Sequence, residues 1–147
     1  MNPVQLNAPF HILLADDDID DRAFFEKVLK EIPIATVLKT VSNGELLMDY
    51  LIENSAALPD VLFLDLSMPR KTGFECLAEI KENKKLAALP VVMFTTSFTR
   101  GIDFEDNLMN TLLRMGATDY IRKPGNFEEL KQVIYQVLIK VKGNNNV

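Results

Sequence analysis

Four consecutive apolar residues, Val61-Leu62-Phe63-Leu64, run straight into the carboxylate of Asp65. Such a run of β-forming residues without polar alternation belongs to a strand covered on both faces, which is the habit of parallel sheets. Pro69 and Gly73 then break the chain, and Thr72-x-x-Glu75 has the pattern of a capping box opening a helix. An acid at the carboxyl end of a central strand stands where open α/β sheets bind ligands. Taken alone, Asp65 fits a residue that merely caps a loop equally well.

The rest of the chain repeats this alternation. His11–Ala15 (HILLA) is a second buried-strand run, and it ends in three acids, Asp16, Asp17 and Asp18. Helical spacing follows from about Asp20 to Ile32, with Ala23, Phe24, the Lys27 stem, Val28 and Ile32 on one face and Phe25 and Leu29 broadening it. Acids at its start suit the positive end of the helix dipole, which explains part of the cluster without any function. Val37–Val41 reads as a strand, and Ser42-x-x-Glu45 as the cap of a helix reaching about Asn54. A helix from Gly73 to Asn83 should turn Phe74, Leu77 and Ile80 inward.

Pro90 introduces the strand Val91–Thr95, which ends in Thr95, Thr96 and Ser97. Residues 98–106 are polar and broken by Gly101; a helix built on Leu108, Leu112 and Met115 then stops at Gly116. Asp119–Arg122 is a fifth strand, closing in Lys123-Pro124. Asn126-x-x-Glu129 caps a last helix with Leu130, Val133, Ile134, Val137, Leu138 and Val141 on one face. Residues 1–10 are expected to be a flexible leader, 11–141 the domain, and 142–147 a disordered tail. Strands alternating with helices predict a doubly wound, flavodoxin-like sheet of five parallel strands in the order 2-1-3-4-5, with five helices. That topology puts Asp16 and Asp17, Asp65, Thr95 and Lys123 at one sheet edge, with Asp17 facing Asp65 across the switch point.

Composition removes several classes of function. A chain of 147 residues with a hydrophobic fraction of 48% and a charged fraction of 25% suits one globular domain. A net charge of −5 argues against nucleic acid as a partner. No apolar stretch approaches a membrane span, and no signal peptide precedes the first strand. The single cysteine, Cys76, permits no internal disulfide, so a cytoplasmic location is expected. The single histidine, His11, stands at the junction of leader and first strand, where it supports no histidine-based triad.

ILLADDD at the first strand, DVLFLDLSMPRKTG at the third, PVVMFTTS at the fourth and GATDYIRKP at the fifth together resemble the response-regulator receiver domain over roughly residues 11–140. The resemblance implies that Asp65 is the phosphoacceptor, Asp16 and Asp17 the acidic pair, Thr95 the switch hydroxyl and Lys123 the basic partner. Tyr120 matches the switch aromatic, and a cis Lys123-Pro124 bond is implied. Ser67 and Ser97 take the positions that in the family tune hydrolysis of the acyl phosphate.

The chemistry of the residues supports these roles. Crowded carboxylates repel one another, and a hard divalent cation held by oxygen ligands relieves that repulsion; Mg2+ suits a site with few carboxylates and phosphoryl oxygens. Asp17, Asp65 and the Ser67 backbone carbonyl are the expected ligands, with Asp16 acting directly or through water. Asp65 is expected to attack the phosphorus of a phosphohistidine or a small phosphodonor, with Lys123 covering the transferred oxygens. The product must then be read by a partner through movement of Thr95 and Tyr120. The plainer reading makes Thr95 an ordinary strand residue and Tyr120 a half-buried aromatic with its hydroxyl in water.

Two features depart from the family. The stretch from Thr95 to Lys123 is several residues longer than in compact receivers, with the excess assigned to Phe98–Asp106. Gly125 stands where many relatives carry a large apolar side chain, which suggests a more mobile loop. A haloacid-dehalogenase-type phosphatase would want a second Asp where Ser67 stands, and a cap domain. A receiver-like interaction module that is never phosphorylated should have lost a site residue, and none of the five is missing. The expectation is therefore a stand-alone receiver, not otherwise an enzyme, phosphorylated by a histidine kinase or histidine phosphotransfer protein. It would signal to a downstream protein target or form a homodimer through the face of its fourth helix, fifth strand and fifth helix.

Overall fold

The computed structural model describes residues 8–96 and 102–145. Five parallel strands lie in the order β2-β1-β3-β4-β5. They are β1 (Phe10–Ala15), β2 (Thr36–Val41), β3 (Val61–Leu64), β4 (Val91–Thr95) and β5 (Asp119–Arg122). Between and after them run α1 (Ile19–Lys30), α2 (Gly44–Glu53), α3 (Gly73–Glu82), α4 (Ile102–Arg114) and α5 (Phe127–Asn145). All residues of β3 and β4 are buried, as uninterrupted apolar runs require.

Alternation along the strands sends side chains into two cores. Leu13, Leu62, Leu64 and Met93 pack under α2, α3 and α4 through Leu47, Leu51, Leu77, Ile80 and Leu112. Ile12, Leu14, Phe63 and Phe94 pack against α1 and α5 through Phe25, Val28, Ile134 and Leu138. Phe25, Phe63 and Phe94 meet edge to face, with ring centroids 5.0, 5.7 and 5.8 Å apart. This geometry adds to their burial energy and gives β3 and β4 a stiff floor below their carboxyl ends.

Several local expectations are corrected. The buried face of α1 centres on Phe25, Val28 and Leu29, while Ala23 and Lys27 are exposed. The shift is one residue, about 100° around the helix, and the aromatic cluster decides it. The cap of α2 is Asn43, not Ser42, because Asn43 Oδ1 accepts from the Leu46 amide at 2.9 Å. Gly44 must open that helix: a Cβ there would stand 2.2 Å from the Lys71 carbonyl oxygen. In α3 the inward residues are Cys76, Leu77 and Ile80, and Phe74 is turned to solvent by its place half a turn before Cys76.

Helix α4 starts at Ile102, inside the stretch expected to be a loop; the acids that follow suit its positive end. Ser97 and Phe98 lie outside the described residues, as do the side chains of Ile102 and Phe104. The buried Phe10 pairs with Thr36, so β1 begins inside the expected leader and His11 is a strand residue. Helix α5 passes through Gly143 and ends at Asn145, beyond the expected start of the tail. The Lys123-Pro124 bond is trans, as are all described peptide bonds, in line with the ordinary preference of X-Pro bonds.

Candidate functional site

The parallel arrangement delivers four polar residues to one edge. Ala15 pairs with Leu64, and the Asp65 amide donates to the Ala15 carbonyl at 3.0 Å, so Asp16 and Asp65 leave adjacent strands together. Thr95 pairs with Arg122, and the Lys123 amide donates to the Thr95 carbonyl at 2.7 Å. Asp16, Asp65 and Thr95 are the buried polar residues among those described, with 0%, 7% and 1% exposure.

Asp16, Asp17 and Asp65 each bring a carboxylate oxygen within 4.8 Å of the others. Asp17 is exposed, so the cluster opens to solvent through that residue. Hard oxygen donors converging at this spacing suit a divalent cation such as Mg2+ or Mn2+. The third acid of the run acts locally: Asp18 caps α1 by accepting from the amides of Asp20 and Asp21 at 2.8 and 3.2 Å. Asp16 is held from two sides, its Oδ1 accepting from the Asp18 amide at 2.9 Å and its carbonyl from Arg22 at 2.7 Å.

Asp65 Oδ1 accepts from the Thr95 hydroxyl at 3.2 Å and the Ser67 amide at 3.3 Å. The Leu66–Thr72 loop that carries Ser67 is closed by the Gly73 amide on the Leu66 carbonyl at 2.9 Å. Gly73 is required there, since a Cβ would stand 2.3 Å from the Asp65 carbonyl oxygen. The expected capping box is present, with Thr72 and Glu75 exchanging bonds of 3.1 and 3.2 Å.

The Lys123 ammonium stands among three acids: 2.6 Å from Asp16 Oδ2, 2.9 Å from Asp21 Oδ2 and 3.5 Å from Asp65 Oδ2. Its nitrogen also lies 5.5 Å from the centre of the Phe94 ring, a cation–π distance. Burial alone would lower its pKa, but the bonds to Asp16 and Asp21 and the charge of Asp65 hold it above the ordinary lysine value. Asp65 is pushed above the usual carboxylate value, chiefly by burial. Lys123 opposes that shift and Asp16 adds to it, while the Ser67 and Thr95 hydrogen bonds draw it back.

The structure therefore brings Asp16, Asp17, Asp65, Ser67, Thr95 and Lys123 together. Tyr120 lies on the neighbouring strand with its hydroxyl buried and, among the described residues, without a hydrogen-bond partner. The plainer alternative for Tyr120 holds for the half-buried ring but not for the hydroxyl: the ring packs inward against the α2–α4 core, which carries the phenol oxygen away from solvent. Burial raises its pKa, and Glu105 adds to the rise. Asp21 is the site residue that sequence reasoning missed. Its position three residues after the cap Asp18, in the first turn of the helix that leaves the acidic run, was a usable signal, masked by the ordinary presence of acids in a first helical turn. The Arg122–Glu105 ion pair, which ties β5 to α4, was also missed.

Residues 12–135 match the response regulator receiver domain family. The chain belongs to that family. Among relatives of this receiver is the response regulator Rcp1 of Synechocystis sp., 34% identical over 133 residues that cover 87% of this chain and 86% of Rcp1. The crystal structure of the phosphorylated cyanobacterial phytochrome response regulator RcpA is 30% identical, with a TM-score of 0.75 over 88% of this chain and 91% of that one. The Mn2+-bound form of Rcp1 is also 30% identical, with a TM-score of 0.73 over the same shares. The receiver is thus homologous to response regulators of two-component signalling, and its sheet order is theirs. Among the described residues no helix is long and apolar enough to cross a membrane.

Proposed function

We propose that this receiver accepts a phosphoryl group on Asp65 from a histidine kinase or a histidine phosphotransfer protein and passes the signal on by protein contact, in the cytoplasm. The observation that carries the proposal is the setting of Asp65, a buried strand-end carboxylate touched at once by Thr95, Ser67 and Lys123 beside two further acids. In the transfer an Asp65 oxygen forms a bond to phosphorus as the P–N bond of the donor phosphohistidine breaks. The departing nitrogen keeps the electron pair and takes up a proton.

Asp16, Asp17, Asp65 and the Ser67 backbone carbonyl would hold Mg2+. The cation would supply charge neutralisation for the transferred oxygens. The Lys123 ammonium covers the same oxygens from the α1 side, where Phe94 and the carboxylates hold it poised. The Thr95 hydroxyl, already on Asp65, can turn its donor to a phosphoryl oxygen. Positioning and charge are most of what phosphoryl transfer requires, so the chain needs no activity beyond promoting its own phosphorylation and dephosphorylation. Ser67, and Ser97 outside the described residues, stand where side chains would tune the second of these reactions.

Output would follow from Tyr120. Among the described residues the buried Tyr120 hydroxyl has no partner, and such a group is about 1–3 kcal/mol less favourable than a paired one, which would leave the inward position easily biased. Movement of Thr95 toward the phosphoryl group alters the packing beside that ring and so the α4-β5-α5 face, through which a homodimer or a downstream target would be engaged. Incubation with acetyl phosphate and Mg2+ should add one phosphoryl group by intact-mass spectrometry, and Asp65→Asn should abolish it. Labelling that persists in Asp65→Asn refutes the assignment.

A further inference from the structure

Lys123 has three N–H bonds to give, and Asp65 receives the weakest share of them. Asp16 and Asp21 hold hydrogen bonds of 2.6 and 2.9 Å, whereas Asp65 stands at 3.5 Å, an ion-pair separation only. The two stronger partners differ in kind. Asp16 is almost wholly buried and belongs to the converging carboxylates, so a bound cation competes with Lys123 for it. Asp21 is outside that convergence, and its side chain keeps 37% of its surface exposed. A cation held by the converging acids would leave Asp21 as the carboxylate free to keep Lys123. A cavity of about 30 Å³ lined by Asp21, Phe24, Phe94, Lys123, Pro124 and Leu130 leaves the ammonium room to shift.

We propose that Asp21 is a positioning residue that restrains Lys123, holding its ammonium toward α1 and so setting how readily Asp65 becomes phosphorylated. The proposal rests on the reading of Asp65 as phosphoacceptor. Phosphoryl oxygens on Asp65 must draw Lys123 into hydrogen-bond range, and Asp21 competes with them for the same protons. Its negative charge also opposes the arrival of an anionic phosphoryl group, so both effects have one sign. Because Asp21 is partly solvated, its hold can be broken cheaply, which makes it a graded restraint rather than a block.

The test uses the purified full chain as wild type, Asp21→Asn and Asp21→Glu, with beryllofluoride and Mg2+ as the probe. Affinity is read by isothermal titration, the bound mimic by its fluorine NMR signals, and initial labelling rates across acetyl phosphate concentrations. Asp21→Asn should bind beryllofluoride about threefold more tightly or better, and label faster by a similar factor, as expected when one nearby like charge is removed. Asp21→Glu keeps the charge and should stay near wild type, and the fluorine signals should shift in Asp21→Asn alone. If Asp21 only serves the first turn of α1, Asp21→Asn changes the melting temperature and leaves affinity and fluorine signals alone, which overturns the proposal. Equal tightening in both variants also overturns it, since charge is then not the cause. A wild-type protein that takes up neither mimic nor phosphate overturns the Asp65 reading and this proposal with it.

Discussion

Lys123→Met isolates the charge at the centre of the site, because methionine keeps most of the aliphatic stem that lies beside Phe94. At an effective dielectric of about 20, each of the ammonium's contacts with Asp16, Asp21 and Asp65 has a gross attraction of about 5–6 kcal/mol. Most of that offsets desolvation, and removing one partner of a buried ionic group typically costs about 3–5 kcal/mol because the others are left uncompensated. Asp21 is partly exposed and Asp17 opens the cluster to water, so the low end applies, about 3 kcal/mol. For a domain of this size that lowers the melting temperature by about 10 °C.

The loss should depend on pH in a defined direction. The raised lysine contributes stability that is fully present below its ordinary value of 10.5 and is lost only as pH rises through the higher folded value. Between about pH 5 and 9 its charge is constant, and the acids set the difference between the two proteins. As pH falls Asp65, pushed above the usual carboxylate value chiefly by burial, takes up its proton and no longer needs the cation, so the gap should shrink at acid pH. Calorimetry of both proteins in chelator, at neutral and acid pH, measures it. Equal melting temperatures at neutral pH, or an undiminished gap at acid pH, would refute the reasoning.

Three further outcomes are expected. Asp17→Ala should weaken Mg2+ binding about tenfold or more without unfolding the protein, since the exposed Asp17 serves no core contact; calorimetric titration checks it, the chain having no tryptophan to report quenching. Gly44→Ala should destabilise by about 2 kcal/mol or more, because the new Cβ meets the Lys71 backbone carbonyl at 2.2 Å and backbone cannot step aside; denaturant unfolding measures it, and a neutral result would contradict the packing of α2 on the site loop. Cys76, fully buried with its thiol pushed up to about 12, should react with a thiol reagent only as the protein unfolds, so modification faster than unfolding would show an opening at α3.

The strands were legible because each one buried on both faces must be apolar without interruption, a property of four or five neighbouring residues that no distant contact can disguise. Val61–Leu64 and Val91–Thr95 have the predicted bounds for that reason. Once strands and helices alternate, right-handed crossovers bring the strand ends to one edge, so Asp16, Asp65, Thr95 and Lys123 could be placed together from the order of elements alone. Matters of azimuth and reach were not legible. Periodicity defines a helix face only to within a residue, or about 100°, which is why α1 was turned toward Ala23 and Lys27 and the cap of α2 fell on Ser42. Which acids accept the Lys123 hydrogen bonds depends on how α1 is seated against α5 and the sheet. Lys123 and Asp21 are 102 positions apart in the chain, and their 2.9 Å contact follows from the packing of Phe25 and Phe94 beneath them. The inward Tyr120 hydroxyl and the Glu105–Arg122 pair likewise depend on the seating of α4 against β5. Local sequence carries the elements and their order; the angles between them, and every contact those angles permit, come from close packing of the whole chain.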